Sequence, residues 1–152
     1  MILIDITENN IRNYIDFEKC YIDKLSQFLS RIYPDSDTVI KWCYINVDGK
    51  NIGSIWLETV DIDTAKLGVF IANEEYRNNG YGSKAIENLL CFAKDKGYKN
   101  VILNVRTNNI RAYTLYKKLG FVQIKKYTKE NGIEVFLMKL ELWKDYFQNE
   151  GR

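Results

Sequence analysis

The chain has 152 residues, 46% of them hydrophobic and 28% charged, with a formal net charge of +2. That length supports one domain with a sizeable core, and the composition is that of a folded soluble protein. Histidine is absent, which excludes Ser-His-Asp and Cys-His catalysis and His-ligated zinc.

The basic residues are spread along the chain and gather into no nucleic-acid-binding face. No apolar run approaches the roughly 20 residues of a membrane span. The opening MILIDITENN lacks the basic region, apolar core and cleavage site of a secretory signal. Cys20, Cys43 and Cys91 are widely spaced and contain no Cys-x-x-Cys, so they are expected to be reduced thiols of a cytoplasmic protein without a structural metal.

In chain order, MILIDI reads as a first strand, followed by Thr7 or Asn9 as a helix-start signal. Tyr21, Leu25, Phe28, Leu29 and Ile32 fall on one helical face, and Pro34 ends that region. VIKWCYINV and NIGSIWLE flank Asp48-Gly49, a hairpin signal, and AKLGVFIA completes a three-strand meander. After Gly82 the period changes: Ala85, Ile86, Leu89, Leu90 and Ala93 have helical spacing, with Gly97 as the stop. NVILNV is a nearly continuous apolar run, the pattern of a strand buried on both faces. Ala112, Leu115, Tyr116 and Leu119 mark a further helix closed by Gly120. FVQIKKYT and IEVFLMKL are two strands around the KENG turn, and the tail WKDYFQNEGR carries no clear assignment. Strand–helix–strand from Ala65 to Val105 implies a right-handed parallel crossover, so the fold class is α/β (α+β), a mixed sheet flanked by helices in one domain.

Arg77-Asn-Asn-Gly80-Tyr-Gly82 lies between a strand and a helix. Glycines let a backbone approach a ligand, and the first amides of a helix favour an anion such as a pyrophosphate. The turn lacks Gly-x-Gly-x-x-Gly, and Gly82 is followed by Ser83 and Lys84 instead of Lys and Ser or Thr. Its spacing alone fits either a phosphate cradle or a flexible corner.

A second segment, Asn109-x-x-Ala112-x-x-Leu115-Tyr116 followed by Gly120-Phe121, joins this turn. Together the two segments resemble the GNAT superfamily of N-acetyltransferases over roughly residues 40–140. The wording LGVFIANEEYRNNGYGSKAI is most similar to the branch that includes the ribosomal-protein N-terminal acetyltransferases.

The resemblance implies a mostly antiparallel sheet of about seven strands, splayed between the fourth and fifth, with about four helices. It implies acetyl-CoA as co-substrate, no metal, and an amine acceptor, in a monomer or homodimer. The pyrophosphate would rest on Arg77, Asn78, Asn79, Gly80, Tyr81, Gly82 and Ser83. The pantetheine arm would run beside Val69, Phe70 and Ile71, an amide near Ile71 would polarise the thioester carbonyl, and Asn109 and Ala112 would complete the cofactor site.

Tyr116 matches the tyrosine that protonates the departing thiolate; by composition alone it also suits a helix core. For the base, the carboxylates Glu58, Asp61, Asp63, Glu74 and Glu75 are available. Glu58, at the end of SIWLE, fits either a weak base or a solvated strand-end charge. Lys66 or Leu67 stands where some family members carry a glutamate. Tyr21, Tyr33, Trp42, Tyr44 and Trp56 suit either an acceptor pocket or core packing. Cys91 falls beside the apolar helix face, a structural position. The resemblance points to direct N-acetyl transfer in a ternary complex; the alternative is a non-catalytic acyl-CoA-binding or regulatory module on the same fold.

Overall fold

A computed structural model of the chain describes residues 1–14, 32–71, 76 and 79–142. The strands are β1 (Ile2–Asp5), β2 (Val39–Val47), β3 (Lys50–Thr59), β4 (Thr64–Ile71), β5 (Asn100–Arg106), β6 (Val122–Thr128) and β7 (Glu134–Glu141). Two helices lie wholly among the described residues, α1 (Tyr81–Asp95), between β4 and β5, and α2 (Ile110–Lys118), between β5 and β6. The seven strands form one sheet in the order β1-β2-β3-β4-β5-β7-β6. β4 and β5 pair in parallel, as the crossover requires, while β1–β2, β2–β3, β5–β7 and β6–β7 are antiparallel. The last strand in sequence is inserted beside β5, which leaves β6 at the edge.

Thr7 opens the first helical turn. Its carbonyl accepts the Ile11 amide at 3.0 Å, its Oγ1 accepts the Asn9 amide at 3.3 Å, and residues 11–14 are helical. The helical face from Tyr21 to Leu29 lies outside the described residues, and Ile32 is buried.

The chain divides into two compact units, Met1–Glu58 with Gly68–Ile86, and Thr59–Leu67 with Glu87–Arg152. In the first, the β2–β3 hairpin turns at Asp48 (φ 51°) and Gly49 (φ 82°), the two positive φ values of the hairpin turn that Asp-Gly favours. Register sorts its side chains by face: Trp42 stands opposite Trp56 and Tyr44 opposite Ser54, while Cys43 and Ile55 share the other side. β3 has both faces covered along most of its length, since every residue from Ile52 to Glu58 is buried. The indole of Trp56 occupies the place a side chain at position 68 would take, with indole Cε2 2.1 Å from where a Cβ would stand. Only glycine fits there, because any larger residue would overlap the ring.

In the second unit, β5 departs from the two-sided burial its composition predicts. Val101, Leu103 and Val105 are buried, but Ile102 and Asn104 are half-buried. The apolar run therefore behaves as an alternating strand, one face better covered than the other. α1 and α2 both stop at the glycines the sequence supplies. The Tyr98 amide reaches the Ala93 carbonyl past Gly97, and the Phe121 amide reaches the Tyr116 carbonyl past Gly120, each at 3.0 Å. Leu89, Leu90, Ala93, Phe121, Met138, Leu140 and Leu142 are buried in this unit.

Candidate active site

The glycine turn is built by the start of α1. Gly80 has φ +81°, and its carbonyl accepts the Lys84 amide at 3.1 Å as the first bond of the helix. A Cβ at Gly80 would meet nothing within 4 Å, so glycine is favoured there by backbone conformation and not by space. The amides of Tyr81, Gly82 and Ser83 have no acceptor within the helix, and no acidic residue stands in its first turn. Such a donor set suits a phosphate. Asn79 and Gly80 are exposed, while Tyr81, Gly82 and Ser83 are half-buried. Tyr76 and Tyr81 flank the turn with ring centroids 6.1 Å apart. Arg77 and Asn78 lie outside the described residues.

The same unit brings this turn to the end of β4. The position a Cβ would take on Gly82 is 3.5 Å from Ile71 Cδ1. Gly68, Val69, Phe70 and Ile71 are all half-buried, in contrast to the enclosed β3. The β4–β5 ladder covers Thr64 to Lys66 against Asn100 to Ile102, although β4 extends to Ile71 and β5 to Arg106.

In the other unit, α2 carries Asn109, Ala112 and Tyr116. Asn109 is the N-cap, and its Oδ1 accepts the Ala112 amide at 3.2 Å. That bond commits the carbonyl oxygen of the amide and leaves its NH2 group for other contacts. Tyr116 is buried, with its ring 6.0 Å from that of Phe121 at 63°. Its hydroxyl has no hydrogen-bond partner among the described residues. Burial pushes the phenol up to about 12.

Glu58 is not a solvated strand end: its residue is 6% exposed. Oε2 accepts the Asp35 amide at 3.2 Å and Thr38 Oγ1–H at 3.1 Å, and Oε1 accepts Trp56 Nε1–H at 3.2 Å. The bulge in β2 between Val39 and Lys41 lies beside this carboxylate in the pairing register. Asp61 and Asp63 belong to the β3–β4 turn, where Asp61 Oδ1 accepts the Asp63 amide at 2.8 Å and Asp63 lies 3.8 Å from Lys99 Nζ. Glu74 and Glu75 lie outside the described residues. In β4, Lys66 is half-buried and Leu67 buried.

Neither described cysteine is set up as a nucleophile. Burial and the neighbouring Asp5 push the Cys43 thiol up to about 12. Cys91 is exposed on α1, beside the face that Leu89, Leu90 and Ala93 bury. Cys20 lies outside the described residues.

Tyr14 and Ser54 were not singled out from the sequence. Tyr14 Oη and Ser54 Oγ lie 3.2 Å apart, both buried, and the Tyr14 ring contacts those of Tyr33, Trp42 and Tyr44. The available signal for Tyr14 is its place two helical turns before Tyr21. Tyr21 itself lies outside the described residues.

Among known proteins, human N-acetyltransferase 8 is 29% identical over 72 residues, covering 46% of this chain and 32% of that protein. The chain spans 32% or less of the length of the curated relatives it matches. A Vibrio cholerae spermidine N-acetyltransferase, solved with CoA and spermine, superposes with a TM-score of 0.77 at 18% identity, covering 96% of this chain and 97% of that one. An Elizabethkingia anophelis GNAT family acetyltransferase with acetyl-CoA bound gives a TM-score of 0.62 at 20% identity, covering 78% and 82%. The model of the Acetyltransferase (GNAT) family matches residues 6–121, which hold both the glycine turn and the Asn109–Phe121 segment. The chain belongs to the GNAT family of acetyltransferases.

Proposed function

We propose that the protein is an acetyl-CoA-dependent N-acetyltransferase. It passes the acetyl group to a primary amine, of a small molecule or a peptide N-terminus, by direct attack in a ternary complex. The observation that carries this reading is the start of α1, where Gly80 at φ +81° opens a helix whose first-turn amides face no carboxylate of their own turn.

In this reading the pyrophosphate of acetyl-CoA rests on the amides of Asn78 to Ser83, with Arg77 as a cation beside them. The pantetheine arm follows Val69, Phe70 and Ile71, which are half-buried where they are described. Asn109 and Ala112 take the cofactor roles that their motif positions imply. The protein works in the cytoplasm as a single domain.

The amine nitrogen adds to the thioester carbon, an amide near Ile71 steadies the tetrahedral oxyanion, and its collapse breaks the carbon–sulfur bond. CoA departs as a thiolate, to which the Tyr116 hydroxyl donates. With the phenol at about 12, complete transfer to a thiol of pKa about 8.5 is uphill. Tyr116 therefore contributes chiefly a hydrogen bond to the developing charge, and solvent supplies the final proton. The oxygens of Glu58 already accept from Asp35, Thr38 and Trp56, and in this reading the amine proton leaves through water. No acetyl-cysteine forms at Cys43, whose thiol is pushed up to about 12.

Calorimetric titration with acetyl-CoA, followed by CoA release over a panel of amines, tests the reading. Saturable binding and acceptor-dependent release are expected. No binding at about millimolar acetyl-CoA overturns the cofactor assignment. Binding without release from any amine replaces the transferase with a non-catalytic acyl-CoA-binding module.

A further inference from the structure

One face of β2, β3 and β4 carries a group of rings around Tyr14. Trp42 lies 5.1 Å from it at 66°, Tyr44 lies 5.9 Å away, and Tyr33 lies 6.3 Å away at 71°. The group is not sealed as a core would be: Trp42 and Phe70 are half-buried, and Tyr33 is 47% exposed. The hydroxyls of Tyr44 and Tyr14 within it are matched. Tyr44 Oη donates to the Asn10 carbonyl at 3.0 Å, and Tyr14 meets Ser54. Trp42 Nε1 differs from these: it is a buried donor with no hydrogen-bond partner among the described residues. An indole nitrogen can only donate, so whatever completes it must present a lone pair. A buried donor left unmatched is a cost that folded proteins seldom carry without a reason.

A second observation bears on the same substrate. Glu58, the one buried carboxylate among the described residues, accepts from three donors. An alkylamine of pKa about 10.4 is only about one part in a thousand neutral at pH 7, whereas an α-amino group of pKa about 8 is roughly a tenth neutral. At pH 7 the second therefore offers on the order of a hundredfold more of the attacking, neutral form.

Resting on the transferase reading above, we infer that the acceptor is an α-amine with a carbonyl beside it, an aminoacyl or peptide amine, and that Trp42 Nε1–H donates to that carbonyl. The rings of Tyr14, Tyr33 and Phe70 form the wall against which the ammonium group first docks, and the side marked by the exposed Tyr33 is the way in. A polyamine offers no lone pair to Trp42 once its nitrogens are protonated, and far less of its amine is neutral at pH 7.

The test compares an alanyl dipeptide amide with 1,4-diaminobutane in the wild type and in Trp42→Phe, read by CoA release. The wild type should favour the dipeptide amide by at least about tenfold in kcat/KM, the amine-fraction difference alone exceeding that. Trp42→Phe should remove about five- to tenfold of the preference through KM for the dipeptide amide. Its effect on the diamine and on acetyl-CoA affinity should be negligible. Equal or better turnover of the diamine by the wild type overturns the inference, as does an equal loss on both acceptors in the variant.

Should Trp42→Phe fail to fold, the wild-type indole N–H resonance of Trp42, assigned through its contacts to Tyr14, gives the same answer. It should shift on saturation with the dipeptide amide and not with the diamine; no shift with either overturns the assignment. Failure of the wild type to bind acetyl-CoA strikes the transferase reading instead, and leaves the indole titration as a separate readout.

Discussion

The end of β3 and the middle of α2 each bury an ionisable side chain, and the two differ in what their oxygens meet. Glu58 accepts from Asp35, Thr38 and Trp56, so its carboxylate fastens the segment before β2 to β3. Tyr116 is buried against Phe121 with a hydroxyl that no described residue engages. Burial alone does not distinguish structure from chemistry. A buried group whose hydrogen bonds are filled holds the fold, and one left open is available to a reacting atom.

The strongest blow to the β3 side of this comparison is Gly68→Val. The new side chain would overlap the Trp56 indole, whose nitrogen is bound to Glu58. The variant should lose about 3 kcal/mol or more in thermal or urea unfolding, or not fold. A melting temperature within about 2 °C of wild type would mean that the indole is free to leave its place.

Tyr116→Phe tests the other side. It should cut kcat about a hundredfold while acetyl-CoA affinity and melting temperature stay near wild type, since the removed hydroxyl has no described partner. Unchanged turnover would make Tyr116 a packing residue. The phenol should also resist ionisation. An unfolded tyrosine titrates near pH 10 and this one at about 12. The folded state therefore holds its proton more tightly. Its contribution to stability is full below pH 10 and is lost as pH rises from there towards 12, which pH-dependent unfolding of wild type against Tyr116→Phe would resolve.

Glu58→Gln is the smallest change and separates the two roles directly. The amide keeps one acceptor oxygen but turns the other into a donor facing donors. Stability should fall by about 1–3 kcal/mol while kcat changes less than about threefold. A hundredfold loss of kcat in a folded variant would restore Glu58 as the base.

What was legible in the sequence is what short-range chemistry fixes. Asp48-Gly49 gives a two-residue hairpin turn, and Gly97 and Gly120 end their helices. The Gly80 turn heads α1 because these conformations depend on a residue and its near neighbours. The motif pair Arg77–Gly82 and Asn109–Phe121 likewise pointed to the family that the family model matches. NVILNV was read less well, because an apolar run says which residues prefer burial, not how much cover the neighbours provide.

The sequence by itself determined the element order, the turns, the parallel crossover and the family, all of them carried by local pattern and motif spacing. Only the tertiary structure decided that β7 enters beside β5, that Trp56 lies on Gly68, that Glu58 is enclosed by three donors, and that Trp42 Nε1–H finds no acceptor among the described residues. Each of these depends on partners far apart in the chain. Hydrogen-bond satisfaction and close packing are properties of such pairs, and no single segment contains them.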